Sequence, residues 1–309
     1  MLAFSTCWNN SRHTDGEDII TEILELGFDH IELSHGMTIS KFPGLERAFE
    51  QKMFTCVGVH NFFPSPTEIM IDAPDAYEFT HFKESERERA YRNTLRTLEE
   101  AARFEAQYVV LHMGSNMKVP EKKWSAPLVQ MLNDGKQDDK KYQKHLEKFI
   151  KVREKTNTYY VRRAMHYLTL LEEKAKEYGL VLAVESRSHY EQVPTESEMV
   201  DMMQHFQESE HVQYWHDFGH VHRKHNMGLL DHEEWLGQMK PYLYGGHLHD
   251  VQWPVRDHRV PFQGEIDYDT LMPYFDPEMP LVWELSSGRK AEDIVDALAT
   301  WKEKYPQYK

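Results

Sequence analysis

Apolar stretches of this 309-residue chain repeatedly end in an acid or an imidazole. LAVES closes on Glu185, WHDFGH carries Asp217 and His220, GGHLHD carries His247, His249 and Asp250, and VWELS carries Glu284. Earlier, HIELS holds Glu32, TCVGVH ends at His60 and YVVLHMG contains His112. Any one of these is ordinarily a hydrogen-bonded structural residue. Their recurrence is the signal, because carboxylates converging on one small volume repel each other unless a cation sits among them. Two Glu, one Asp and one His offer hard oxygens and a single nitrogen. Such a set suits Mn²⁺, Mg²⁺ or Co²⁺ better than it suits a thiolate-rich zinc or copper site.

For these residues to meet, their strands must end on the same side of one body. Strand-like runs begin near Leu2, His30, Thr55, Tyr108, Leu180, Val212, Tyr242 and Pro280. Between them the spacing turns helical: Tyr91, Leu95, Leu98 and Ala102 make one stripe, and Ala164, Leu168, Leu171, Ala175 and Tyr178 another. Thr195-Glu196-Ser197-Glu198 has the form of a capping box. Ile294, Leu298, Trp301 and Tyr305 share a face of the last helix. Eight strand-helix units without a Pro/Gly/Ser-rich linker predict an α/β protein, a single (β/α)8 TIM barrel over residues 1–309. In that fold chemistry sits at the C-terminal ends of the strands. A Lys-rich helical insertion, residues 115–158, follows strand 4 on that side. It reads equally as a lid or as a solvated helical excursion.

Composition narrows the partners. The formal net charge is −15, from 51 acidic against 36 basic side chains, and it opposes a polyanion. The basic span from Lys136 to Lys155 is read as a charged helix face in solvent. No apolar run approaches the ~18 residues that cross a bilayer. The start, MLAFSTCWNN, lacks a secretory pattern, and two cysteines are too few for a disulfide framework, so a cytoplasmic location is expected.

From GFDHIELSHG at Gly27 through YVVLHMGS and LAVESRS to VWELSSG, the chain resembles the xylose isomerase-like TIM barrels. That superfamily includes sugar-phosphate isomerases and epimerases, ketose 3-epimerases and endonuclease IV-type phosphodiesterases. The resemblance implies one divalent metal held by Glu185, Asp217, a histidine of GGHLHD and Glu284, with Mn²⁺ favoured and Mg²⁺, Co²⁺ or Zn²⁺ as alternatives. The family's His-Leu-x-Asp pattern selects His247. Strand parity leaves His249 as the alternative ligand, since alternate residues share a face. Asp250 is expected to orient an imidazole or touch substrate. Glu191, six residues after Glu185, falls where ketose 3-epimerases bind substrate, and His220, three after Asp217, falls where the family contacts substrate or a second metal. His60, His112, His249, Arg256 and His258 complete the expected substrate-binding set. His222 and His225 are read as surface residues.

What the resemblance implies is an isomerase or epimerase of a sugar or sugar phosphate. Glu185 and Glu284 would move protons next to a carbonyl while the metal stabilises an enediolate. A dehydratase or lyase of the same fold is the alternative. A zinc phosphodiesterase stands further off, because it needs an Asp-x-His pair where this chain has RDHRVPFQG, and either alignment of that stretch puts an Arg at one of the two positions. A homodimer is expected, as barrels of this group often pair.

Overall fold

Short runs rich in Val, Leu, Tyr and Trp form eight parallel strands: Leu2–Ser5, His30–Leu33, Thr55–His60, Tyr108–Leu111, Val181–Glu185, Val212–Asp217, Leu243–Leu248 and Leu281–Trp283. Each pairs with the next, and the eighth returns to the first, so the sheet closes into a barrel. The computed structural model describes residues 1–69 and 73–308.

Side chains alternate between the inside of the barrel and the layer under the helices. Ala3, Val57, Tyr108, Val110, Ala183, Trp215 and Val282 pack together inside, and their strand neighbours Phe4, Val109, Leu182, Tyr214 and Leu281 join the outer core. The interior is filled, as this barrel size requires. A Cβ at Gly58 would lie 2.1 Å from the Tyr108 ring, so glycine is what lets that ring lie across the barrel.

The helices follow the predicted stripes with two departures. In Glu84–Arg103 the deepest residues are Ala90, Thr94, Thr97, Leu98 and Ala101, while Tyr91 and Leu95 pack at the edge. The face is rotated because Thr94 and Thr97 turn inward to hydrogen-bond both ends of the Asn61 amide, at 3.0 and 2.8 Å. Tyr178 ends its helix 41% exposed, just before Gly179 caps it in the left-handed region at φ 68°. Ile294, Leu298 and Trp301 are buried as expected, and Tyr305 lies buried one residue past the helix end. The capping box at Thr195 forms, its N–H donating to Glu198 at 2.8 Å.

Between the fourth and fifth strands the chain runs through helices Ser125–Asn133 and Lys140–Thr156. They carry a small core of their own, in which Trp124, Leu128, Tyr142, Leu146 and Phe149 meet Met227. Lys140, Lys141, Lys144, Lys148, Lys151 and Lys155 all face solvent. From the opposite face Arg153, 1% exposed, donates to Glu198 at 2.7 and 2.9 Å and to the carbonyls of Tyr190 and Gln192. That buried clamp fixes the helices to the loop leaving the fifth strand.

Candidate functional site

Four buried side chains from the last four barrel strands converge. Glu185 and Asp217 end the fifth and sixth strands, His247 lies in the seventh and Glu284 follows the eighth directly. One donor atom from each lies within 4.8 Å of the others. Parity explains the convergence: each stands two residues beyond an inward Ala183, Trp215, Gly245 or Val282, and Asp217 is in register with His247. Nδ1 of His247 is 3.2 Å from Glu185, 3.3 Å from Glu284 and 3.7 Å from Asp217. Its Nε2 faces Glu32 at 3.1 Å. Glu32 in turn accepts the Tyr108 hydroxyl at 3.0 Å.

His249 stands beside the ring, and one nitrogen each of His220, His249 and His258 lie within 4.8 Å of one another, a second set able to hold an ion. The seventh strand stops at Leu248, so alternation no longer governs the next residue. The His249 Nδ1 accepts the backbone N–H of His258 at 2.8 Å. This leaves Nε2–H to donate to Asp217, at 3.0 to 3.1 Å. With both nitrogens engaged, His249 orients a carboxylate of the ring. Its room comes from Gly219, where a Cβ would lie 2.0 Å from the imidazole. Asp250 turns away: its carboxylate accepts the backbone N–H groups of Val251, Gly264 and Ile266, so it organises the following loop and orients no imidazole.

The other expected residues divide. The His60 Nδ1–H donates to the Asn61 carbonyl, turning Nε2 toward Glu185 at 3.4 Å. His112 bridges Glu185 and Asp75, at 2.6 and 2.8 Å. His220 stands 3.3 Å from Glu185 and 3.5 Å from Asp217. His258 stacks on His249 and points Nε2 at Glu284, 3.4 Å away. Glu191 is buried, but its carboxylate accepts the Ser125 N–H at the start of the inserted helices rather than facing the ring. Arg256 is exposed on the hairpin strand Arg256–Arg259, away from the buried ring. Its neighbour Asp257 is held by Arg223. His222 is buried rather than on the surface, in a chain with His232 and His216, and His225 is half-buried beside it.

Three participants were not predicted. Asp75 accepts from Arg187 at 2.8 and 3.1 Å, and Arg187 brings a guanidinium to within 3.8 Å of Glu185. His35 lies 4.0 Å from Glu284. Asp75 sits in a long aperiodic loop that offered no signal. Arg187 and His35 do stand just beyond strand ends, where a charged or ring residue was readable.

Electrostatics show how the ring balances itself. Burial pushes the Glu185 carboxyl up, but His112, His220 and His247 more than reverse that and hold it well below the usual range. Glu284 behaves alike, with His247 and His258 outweighing burial, and so does Asp217 between His220 and His249. Burial depresses the His247 imidazole, yet Glu284 and Glu32 raise its pKa well above the ordinary value. His112 is raised too, Asp75 and Glu185 overcoming burial and Arg187. His247 thus carries, as a proton, positive charge that the acids demand. A divalent cation fits the same demand: three carboxylates and one imidazole nitrogen surround a common centre, and the second imidazole nitrogen is anchored on a carboxylate.

A cleft of about 420 Å³, of a size that holds small molecules, opens onto Glu284 and His258 between Asn10, His35 and Ser286. A hollow of about 460 Å³ at the other end of the barrel is lined mainly by Leu2, Phe28 and Leu298 and lies far from the ring.

Fold and ring together define a TIM barrel whose C-terminal mouth carries a cluster able to hold a metal. The chain belongs to the xylose isomerase-like TIM barrel family, whose model matches residues 20–303. No curated protein matches it by sequence. Among solved structures it is similar to a D-tagatose 3-epimerase-like protein, with a TM-score of 0.68 and 14% identity over 99% of this chain and 97% of that one. It is also similar to 3-keto-D-glucoside 4-epimerase from E. coli, with a TM-score of 0.67 and 15% identity over 98% of both chains. A third is the IOLI protein with a bound zinc atom, with a TM-score of 0.66 and 17% identity over 100% and 99%. At these identities the likeness shows the fold. Among the described residues no helix is long and apolar enough to cross a membrane.

Proposed function

We propose that this chain is a divalent-metal-dependent isomerase or epimerase of a sugar or sugar derivative. The observation that carries the reading is the convergence of Glu185, Asp217, His247 and Glu284 beside a cleft of small-molecule size. The epimerases among its structural neighbours agree with it. When bound, the metal, with Mn²⁺ favoured, supplies Lewis acidity toward neighbouring carbonyl and hydroxyl oxygens.

The chain's own residues do the rest. Glu185 and Glu284 belong to the fifth and eighth strands, which are not neighbours in the barrel, so their carboxylates meet a substrate from different directions. One removes a proton from the carbon beside the carbonyl; the other returns a proton to the opposite face in an epimerisation. Transfer on a single face gives aldose-ketose isomerisation. His60, His220 and His258 supply hydrogen bonds to sugar hydroxyls, while His112, held between Asp75 and Glu185, steadies the Glu185 carboxylate.

The test is incubation of a ketose panel with the protein and Mn²⁺ in D₂O, followed by NMR. Deuterium should enter at C1, C2 or C3, and Glu185→Gln should abolish it. If no sugar exchanges a carbon-bound proton, or if Glu185→Gln matches the parent, the reading fails. Three zinc ions per chain in the purified protein would favour a phosphodiesterase instead.

A further inference from the structure

Arg187, two residues beyond Glu185, is 2% exposed and carries a charge it cannot shed. Its Nη2 donates to both oxygens of Asp75, at 2.8 and 3.1 Å, but Nη1 and Nε find no hydrogen-bond acceptor among the described residues. A buried charged donor left without an acceptor costs more than a neutral one. Nη1 faces the ring and lies 3.8 Å from Oε2 of Glu185, beyond hydrogen-bonding distance. Glu185 is already served: His112 is 2.6 Å from Oε2, and His247 and His220 are 3.2 and 3.3 Å from Oε1.

The guanidinium is held in place. Asp75, its partner, also accepts from His112 at 2.8 Å and from Gln192 at 3.3 Å. The ring that Nη1 faces is reached from the cleft, since Glu284 belongs to both. A fixed, unspent donor beside reacting groups can stabilise an oxygen that gains charge, with no reorganisation at the moment of reaction.

We infer that Arg187 is a catalytic residue: Nη1 donates to the substrate oxygen that becomes negative when the carbon beside the carbonyl loses its proton. The step balances without any co-reactant. A carboxylate of the ring takes the proton, the C–H electron pair becomes the second bond between the two carbons, and the carbonyl pair moves onto the oxygen facing Arg187. That pair returns when a carboxylate gives a proton back. This inference rests on the isomerase or epimerase reading of the ring.

Arg187→Lys, which keeps a cation for Asp75 but lacks the planar fork, tests it. The Mn²⁺-loaded variant is titrated calorimetrically with glycolohydroxamate, whose two coplanar oxygens copy those of the deprotonated ketose. It should bind at least about tenfold more weakly than the parent, the worth of one charge-assisted hydrogen bond. On the ketose that exchanges deuterium fastest, kcat should fall about 100-fold and KM should change less than about threefold. Mn²⁺ content and the urea midpoint should match the parent's; a variant that sheds metal or stability marks a structural residue and overturns the assignment. Asp75→Asn weakens the hold on Nη2 but leaves Nη1 present, so it should bind the hydroxamate at least about tenfold more tightly than Arg187→Lys does. Equal binding by the two variants means that Arg187 acts through Asp75 and His112, and this too overturns the contact. Exchange at the parent's rate in Arg187→Lys sinks only the Arg187 assignment. Hydroxamate binding that needs Arg187, with no exchange on any sugar, keeps the contact and sinks the isomerase reading, whereas a parent that neither binds nor exchanges sinks both.

Discussion

Oε1 of Glu32 lies 3.1 Å from Nε2 of His247, on the far side of the imidazole from Glu185 and Glu284. The acid reaches it from the second strand across the barrel, steadied by the Tyr108 hydroxyl. This contact decides which nitrogen of His247 is offered to a metal, because Nε2–H is spent on Glu32 and Nδ1 is left facing the other three donors. A carboxylate behind a ligating imidazole fixes its orientation and raises its basicity.

Glu32→Gln should therefore weaken metal retention by about 10- to 100-fold while leaving all four donors present. Competition against a chelator, read by the metal released, measures it. Unchanged affinity would mean that Glu32 only fills the barrel.

Metal affinity should rise with pH. In the metal-free protein the His247 pKa is raised well above its ordinary value, so near neutrality the ring nitrogen must lose a proton before it can ligate. Affinity is expected to climb by about tenfold per pH unit while His247 stays protonated. About one proton should be released per metal, as calorimetry in two buffers of different ionisation enthalpy would count. The same proton stabilises the metal-free fold. That contribution is complete below the unfolded value of about 6.5 and fades as pH rises through the folded one.

Whether a site residue was legible in the sequence depended on where it stands relative to a strand. Glu185, Asp217 and Glu284 were legible because each ends apolar strand sequence, and parity then aims all three inward. His249 was not, since its strand ends at Leu248 and its partner His258 comes from a later hairpin. Asp250 looked like an orienter of the ring but serves a loop whose path only the fold reveals. Glu32 was visible as an acid inside a barrel strand, yet its contact with His247 spans 215 residues of chain. Thr94 and Thr97 misled the helix stripe because polar residues usually face water, and here Asn61 gives them a buried partner.

Arg153→Ala should loosen the inserted helices. It leaves Glu198 buried with its charge uncompensated and removes donors from two loop carbonyls, at a cost of about 3–5 kcal/mol. Urea unfolding should show a lower midpoint, and limited proteolysis should cut between residues 117 and 157 faster than in the parent. A variant cleaved at the parent's rate would show that the small core around Trp124 and Phe149 holds these helices without the clamp.

A second histidine cluster makes the fold sensitive to acid. Outside the barrel wall the Tyr214 hydroxyl meets His216 at 2.9 Å, His216 meets His232 at 3.0 Å, and His232 meets His222 at 3.3 Å. Burial lowers the His216 pKa to about 3 and the His222 pKa to about 4, and takes His232 well below its ordinary value. All three are neutral in the folded chain at pH 7, whereas the unfolded chain protonates them below about pH 6.5. Their stabilising effect is therefore complete above pH 6.5 and is lost as pH falls toward the folded values. The raised imidazoles of the metal ring act in the opposite sense, so the effect must be read as a difference. His216→Gln should be less stable than the parent at pH 7.5, and that gap should narrow by about 1 kcal/mol at pH 5.5, as the parent alone loses the His216 contribution. Urea midpoints of both proteins at the two pH values measure it. A gap that stays constant or widens would mean that His216 takes up its proton without unfolding.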